Sequence, residues 1–257
     1  FKAVLIAYAG NNVFPRAGEF ARVVALRRAH PMPIGAVVGS VIVERLLDMF
    51  TLLIFFAVVM VYAREKITMA FPGLESVGAF TMVVLLIVFA LLVLLSFYGN
   101  RGINKLETLT SRISPSLAQK VSGLLRTFLQ GLAGVKTLRD CLGILLTTLL
   151  TNLCYVLSIY LPFYSFGFIE NYDLKLFDAL VVMVLASVGV VIPTPGGTGT
   201  YHFFCSKTLH IFYNIPEVQA LAFATAVHGA AFLAFVLFGG PSLFRLLWTQ
   251  KKEAQDI

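Results

Sequence analysis

The chain has 257 residues, a formal net charge of +7, 58% hydrophobic residues, only 13% charged residues and a mean hydropathy of +0.87. Soluble domains average about 45–50% apolar and about 25% charged residues, and disordered chains are polar and charge-rich, so both classes are excluded. Barrel strands of about ten alternating residues would not give long unbroken apolar runs, which leaves an all-α, polytopic transmembrane helical bundle.

In chain order, Phe1–Ala9 is apolar but too short to cross a bilayer, and reads as the end of a helix whose start is missing. The helical pattern then breaks over Asn11-Asn-Val-Phe-Pro-Arg-Ala-Gly-Glu19 and on to Arg22. Pro15 and Gly18 supply the break, and Asn11, Arg16, Glu19 and Arg22 accompany it with polar groups. Next come Glu44, Arg45 and Asp48, spaced so that they can share a helix face. They precede Met49–Ala63, an apolar run of about 23 Å as helix, shorter than a bilayer core of about 30 Å. A spanning helix must therefore recruit the charged residues, and charges near lipid must pair. The triad reads either as the lining of an ionic cavity or as an internal staple at the membrane boundary.

Ser76–Tyr98, Cys141–Ile169 and Val218–Phe244 contain no Asp, Glu, Lys or Arg, and each reaches the roughly 20 residues a spanning helix needs. Between the first two, Leu117, Val121, Leu124, Leu125, Phe128, Leu132 and Val135 recur at helical spacing. Gln119, Ser122, Arg126 and Gln130 fall mostly on the other face. Segment 116–139 reads as an amphipathic helix, either lying in the cytoplasmic interface or packed on the bundle as a connector.

Ala179–Ser206 is also free of acidic and strongly basic residues, but Ile192-Pro-Thr-Pro-Gly-Gly-Thr-Gly-Thr-Tyr-His202 interrupts it. Pro193 and Pro195 stop a helix, while Gly196, Gly197 and Gly199 permit positive φ and close backbone approach. A helix restarting at Thr200 would offer free N–H groups to an anion such as phosphate. Non-helical backbone at membrane depth persists only where protein or a watery cavity satisfies it, and paired interruptions in two halves of a chain point to a transport site.

Charge placement gives a topology. Arg16, Arg22, Arg27 and Arg28, then Arg101, Lys105, Arg112, Lys120, Arg126, Lys136 and Arg139, then Arg245, Lys251 and Lys252 fall on alternate connections. The opposite connections hold Arg64, Lys66 and Lys175. The positive-inside rule puts 10–33, 99–140 and the C-terminus in the cytoplasm, and requires 178–217 to enter and leave on the outer side as a re-entrant hairpin. Anionic inner-leaflet lipid accounts for the basic balance, since no basic stripe interleaved with exposed aromatics marks a nucleic-acid interface.

Other constellations carry less. Cys141, Cys154 and Cys205 read as small buried hydrophobes, and His202-x-x-Cys205 lacks the second ligand pair of a metal site. Asn152 and Ser158 read as interhelical hydrogen bonders, and His228 as a packing contact rather than a proton relay. No spacing suggests a nucleophile with its base, a P-loop or a dinucleotide fold, so neither an enzyme nor a cofactor is expected.

Asn11-x-x-x-Pro15-Arg16-x-Gly18-Glu19-x-x-Arg22, Glu44-Arg45-Leu-x-Asp48 and Pro195-Gly-Gly-x-Gly199, in that order, resemble the lysylphosphatidylglycerol synthase transmembrane-region family of flippase-like membrane proteins. The resemblance covers nearly the whole chain and implies a helical bundle with re-entrant segments that moves a lipid or lipid-linked headgroup between leaflets. In fused relatives that lipid is an aminoacylated phosphatidylglycerol. This chain shows no soluble aminoacyl-transferase domain, so the aminoacylation chemistry is not expected here; membrane phospholipid is the expected partner, with a partner transferase or a homo-oligomer as further possibilities. Many relatives carry Glu a few residues past the glycines where this chain has His202, so an acidic role is not carried over to that position.

The leading expectation is a lipid flippase-like transporter of the bacterial inner membrane, its cavity built from 11–22, 44–48 and 195–202. Arg16 and Arg22 would meet a phosphate-bearing headgroup, while Glu19, Glu44 and Asp48 would balance them or meet a cationic one. The alternatives are a membrane-embedded lipid-modifying enzyme or its lipid-presenting subunit, and a scaffold acting through 99–140.

Overall fold

The computed structural model describes residues 2–14, 17–29, 34–112, 114–132 and 137–255. Among them the chain is helical throughout, joined by short turns, with no strand. The all-α bundle expected from composition is what folds.

Helix α1 spans Lys2–Val13 and α2 spans Ala17–Ala29. Helix α3, Ile34–Ala70, is a single element of 37 residues that contains Glu44, Arg45 and Asp48, so the short apolar run does recruit the charges before it. Its helical geometry lapses only at Ala63, where no proline or glycine intervenes. Helix α4 spans Leu74–Ser111 and turns sharply at Gly99, whose φ of 55 favours glycine.

Helix α5 runs from Pro115 to Leu132, shorter than the expected 116–139. The reason lies in Thr137-x-x-Asp140. The Thr137 hydroxyl accepts the Asp140 N–H at 3.2 Å and the Asp140 carboxylate accepts the Thr137 N–H at 2.8 Å. This reciprocal capping box starts α6, Leu138–Ser165, and separates it from α5. Helix α5 packs on α3 and α4, with Ala118, Ser122 and Leu125 buried, the last against Ile103, while Leu117 and Leu124 stay exposed. The polar residue Ser122 thus faces inward and two leucines outward, a rotation of the face that spacing alone suggests.

A five-residue α7, Phe168–Tyr172, leads to α8, Leu176–Val191. A single 3-10 turn at Pro195–Gly197 follows, then α9, Thr200–Tyr213, and α10, Glu217–Gln255. The main core gathers around α8, where residues from Ala179 to Ala186 are mostly buried against Phe56 and Val59 of α3, Ile159 and Phe163 of α6, Cys205 and Leu209 of α9, and Phe223 of α10.

Among the described residues three helices, Ile34–Ala70, Leu138–Ser165 and Glu217–Trp248, are long and apolar enough to cross a membrane by length and composition. Their sides expose Ile54, Val61, Leu145, Leu149, Leu233 and Leu237, as a lipid-facing surface does. Lipid tails are as apolar as leucine, so such helices are held by close packing and polar contacts rather than by expulsion of apolar surface from water. Cys205 is buried as expected, but Cys141 and Cys154 lie exposed on α6, which has few neighbours. Asn152 and Ser158 do not bond between helices: Asn152 Nδ2 donates to the Thr148 carbonyl at 2.9 Å and Ser158 Oγ to the Tyr155 carbonyl at 2.7 Å, both within α6.

Candidate functional site

The two interrupted stretches make two helix pairs, α1–α2 and α8–α9. With 13, 16 and 14 residues, α2, α8 and α9 measure about 20 to 24 Å, and none of these three reaches across a 30 Å hydrocarbon core. Each pair closes backbone on backbone. At Gly18 an added Cβ would land on the Ala7 carbonyl oxygen, and at Gly189 it would come within 2.6 Å of the Thr200 carbonyl oxygen. Asn11 caps the start of α2, its Oδ1 accepting the Gly18 N–H at 2.9 Å.

The pairs then meet. Gly196 has φ 59, and a Cβ there would sit 2.9 Å from Asn12 Oδ1, so the Asn12 side chain lies against the glycine turn. Distant parts of the sequence, 11–22 and 195–202, are thereby brought to one place. Helix α10 seats this junction. Gly239 packs on the Leu5 carbonyl and Phe235 stacks on Tyr8 at 4.4 Å, so α1 and α10 run antiparallel, and continuing that register brings Asn12 to within about a turn of His228.

The glycine turn is internally braced. The amides of Gly197 and Thr198 donate to the carbonyls of Thr194 and Pro195, and the Gly199 amide donates to His202 Nδ1 at 3.3 Å. The Thr194 and Thr200 hydroxyls share a bond of 3.1 Å. The expectation of free amide donors for an anion is therefore corrected at Gly197, Thr198 and Gly199, because a tight turn between two helices uses its own donors. Pro193 and Pro195 end α8 as their chemistry requires, the latter opening the 3-10 turn. Gly18 is no break in itself: it lies in the first turn of α2 and lets α1 approach.

The charged residues also converge. Arg22 of α2 makes a bidentate pair with Glu44 of α3, Nη1 to Oε1 and Nη2 to Oε2, both at 2.7 Å. Arg45 bonds the same Glu44 carboxylate at 2.6 Å and reaches Asp48 at 3.1 Å. The network grades outward: the side chain is 17% exposed at Arg22, 38% at Glu44 and 53% at Asp48. Planar fork-to-carboxylate pairing of this kind fixes geometry as well as charge. Close by, Tyr8 and Tyr155 share a hydroxyl bond of 3.1 Å, and Tyr155 lies within electrostatic reach of Asp48 and Arg45.

Thus Asn11, Glu19 and Arg22 share the first pair with Gly18, Glu44, Arg45 and Asp48 join Arg22 across α3, and Gly196, Gly197, Gly199 and His202 occupy the second pair. Pro15 and Arg16 lie outside the described residues. Sequence reasoning missed Asn12, Tyr8 and Tyr155. The Asn11-Asn12 doublet at a helix end was a usable signal, whereas an isolated tyrosine in an apolar run gives none.

Four buried side-chain atoms have no hydrogen-bond partner among the described residues: Nδ2 of Asn12, Oε2 of Glu19, Nε of Arg22 and Nε2 of His228. Each belongs to this region. Among the described residues no group of three or more His, Cys, Asp or Glu side chains could hold a metal.

A family model described as the lysylphosphatidylglycerol synthase TM region matches residues 1–239, and the chain belongs to that family of membrane proteins. No curated protein and no solved structure matches the chain.

Proposed function

We propose that this chain is a lipid flippase-like transporter that moves an anionic or aminoacylated phospholipid, or a lipid-linked headgroup, between the leaflets of a bacterial inner membrane. The observation that carries the reading is the meeting of two interrupted helix pairs at Asn12 and Gly196, beside the Arg22–Glu44–Arg45–Asp48 network. Interrupted helices placed together are how transporters build a polar passage inside an apolar layer. The unpartnered atoms of Asn12, Glu19 and Arg22 provide one donor, one acceptor and a further donor for an incoming headgroup.

In this reading Arg22 takes the phosphate and Glu19 balances it or meets a cationic group. Arg16, outside the described residues, keeps the same phosphate role on its spacing alone. Residues 99–140 and the C-terminus face the cytoplasm, and α5 is the interfacial helix of that connection. In this reading residues 1–239 supply movement of the lipid rather than chemistry on it.

Reconstitution tests it. In liposomes carrying headgroup-labelled phosphatidylglycerol and an impermeant quencher, the wild-type chain moves label to the quenched leaflet. Arg22→Ala and Glu44→Ala should each slow that movement by about tenfold or more, the scale of one lost charge-assisted contact. Movement at wild-type rates in both variants would remove this network from the transport path.

A further inference from the structure

The glycine turn carries a device that the transport reading does not use. In an ordinary capping box a Glu or Gln at the third helical position reaches back to the amide before the helix. Here His202 stands at that position of α9, and its Nδ1 accepts the Gly199 N–H at 3.3 Å. An imidazole accepts at Nδ1 only while that nitrogen carries no proton, whereas imidazolium has two donors and no acceptor. The cap is therefore compatible with neutral His202 and incompatible with its charged form. A carboxylate or an amide in that place would hold the same amide across the physiological pH range.

A second imidazole stands beside it. The His228 ring lies 4.9 Å from that of His202, at 68° to it, and 4.8 Å from Tyr201, on which it stacks. His228 Nε2 is buried and without a hydrogen-bond partner among the described residues. Two rings so close inside an apolar layer do not both hold a charge, because like charges at that separation repel.

The charged groups of the same region are Glu19 and Arg22 of α2 and, joined to Arg22, Glu44, Arg45 and Asp48 of α3. Helix α8 has one ionisable side chain, Asp178, which bonds Tyr213 at the far end, where Lys66 of α3 also binds the Phe212 carbonyl at 2.7 Å. Helix α1 presents Tyr8, which is stacked on Phe235 two turns along α10 and bonded to Tyr155 of α6. On α9 itself, Tyr201 bonds Cys205, and Lys207 lies over the rings of Phe71 and Phe203.

We propose that His202 and His228 form a proton-operated latch on the glycine turn: a proton taken up from water onto the pair displaces the Gly199–His202 cap and frees the turn that holds Asn12, and its loss re-forms the cap. The proton binds a ring lone pair and leaves again as a proton, so no other bond is made or broken. This rests on the transport reading only in its consequence, which is that lipid movement responds to pH or to a proton gradient.

Amide hydrogen exchange of the full-length protein in detergent micelles tests the latch without any transport. After correction for the intrinsic pH dependence of exchange, protection of residues 195–203 should fall about fivefold between about pH 8 and pH 5, the effect of losing one backbone cap. In His202→Gln, which offers a carbonyl acceptor and does not titrate, that fall should vanish. In His228→Gln its midpoint should move, because the competing ring is gone. Equal falls in wild type and His202→Gln, or no fall in wild type, overturn the latch. A latch that operates in a chain that moves no lipid would instead overturn the transport reading and leave the latch standing.

Discussion

Helix pairs α1–α2 and α8–α9 are alike in the interruption between their helices and in the glycine at their crossing, yet they are held in different ways. Along α8, eight of 16 residues are buried, all apolar or glycine, and the turn after it has donors bonded within itself. Along α2 only Gly18 is fully buried, and the helix is tied to α3 by the Arg22–Glu44 pair. One pair is an apolar wedge set in the core. The other is a polar flap hinged on ionic contacts. Dense packing resists gradual deformation, whereas a few directional bonds can be exchanged one for another. The contrast teaches that α1–α2 is held by bonds that can be exchanged one for another, whereas α8–α9 is a packed wall in which only the turn is held by such bonds.

The largest expected effect breaks the flap at its crossing. Gly18→Ala puts a methyl group on the Ala7 carbonyl, rigid backbone that cannot yield cheaply, and should destabilise the protein by about 3 kcal/mol or more. Thermal unfolding in detergent, followed by monodispersity, measures this. Gly189→Ala, against the Thr200 carbonyl at 2.6 Å, should lose comparably, so an effect confined to one pair would show that the two crossings are not equivalent.

A smaller effect is expected at the ionic tie. Glu44→Gln leaves Arg22 half-buried without its carboxylate and should cost about 1–3 kcal/mol in the same assay. Replacing both partners, Arg22→Met with Glu44→Leu, should recover part of that loss, because no uncompensated charge remains. Failure of the double variant to recover would mean that the pair positions the flap through more than charge balance.

Smaller again, and of opposite sign, Gly123→Ala in α5 meets no atom within 4 Å and should stabilise by about 0.5–1 kcal/mol through the unfolded chain and helix propensity. Its gain beside the losses at Gly18 and Gly189 separates glycines that permit contact from one that does not. Smallest of all is Glu75→Gln. It removes the exposed pair with Arg64, a bond of 2.6 Å in which the arginine side chain is 69% exposed, and should move stability by less than about 0.5 kcal/mol. A larger shift would show that the turn between α3 and α4 contributes to holding the wall.

The amino-acid sequence by itself determined the class and the parts. Apolar runs longer than a bilayer is thick must become helices because lipid offers no partner for exposed backbone, and this settles α4, α6 and α10. Pro193, Pro195 and the glycines after them force an interruption wherever they occur, and a charged triad just before a short apolar run must join its helix. What tertiary structure alone decided is which partner each polar group meets. Arg22 could have bonded several carboxylates within reach of the chain, and only the approach of α2 to α3 selects Glu44. The turn amides were free on paper and are taken up by carbonyls a few residues away. The inward face of α5 is set by the helices it lies on rather than by its own periodicity, Tyr8 and Tyr155 find each other across 147 residues of chain, and His228 meets His202 only because α9 and α10 pack together. Local sequence specifies backbone geometry because its causes are steric and short-ranged. It is silent on side-chain pairing across helices, because those contacts are chosen only when the helices come together.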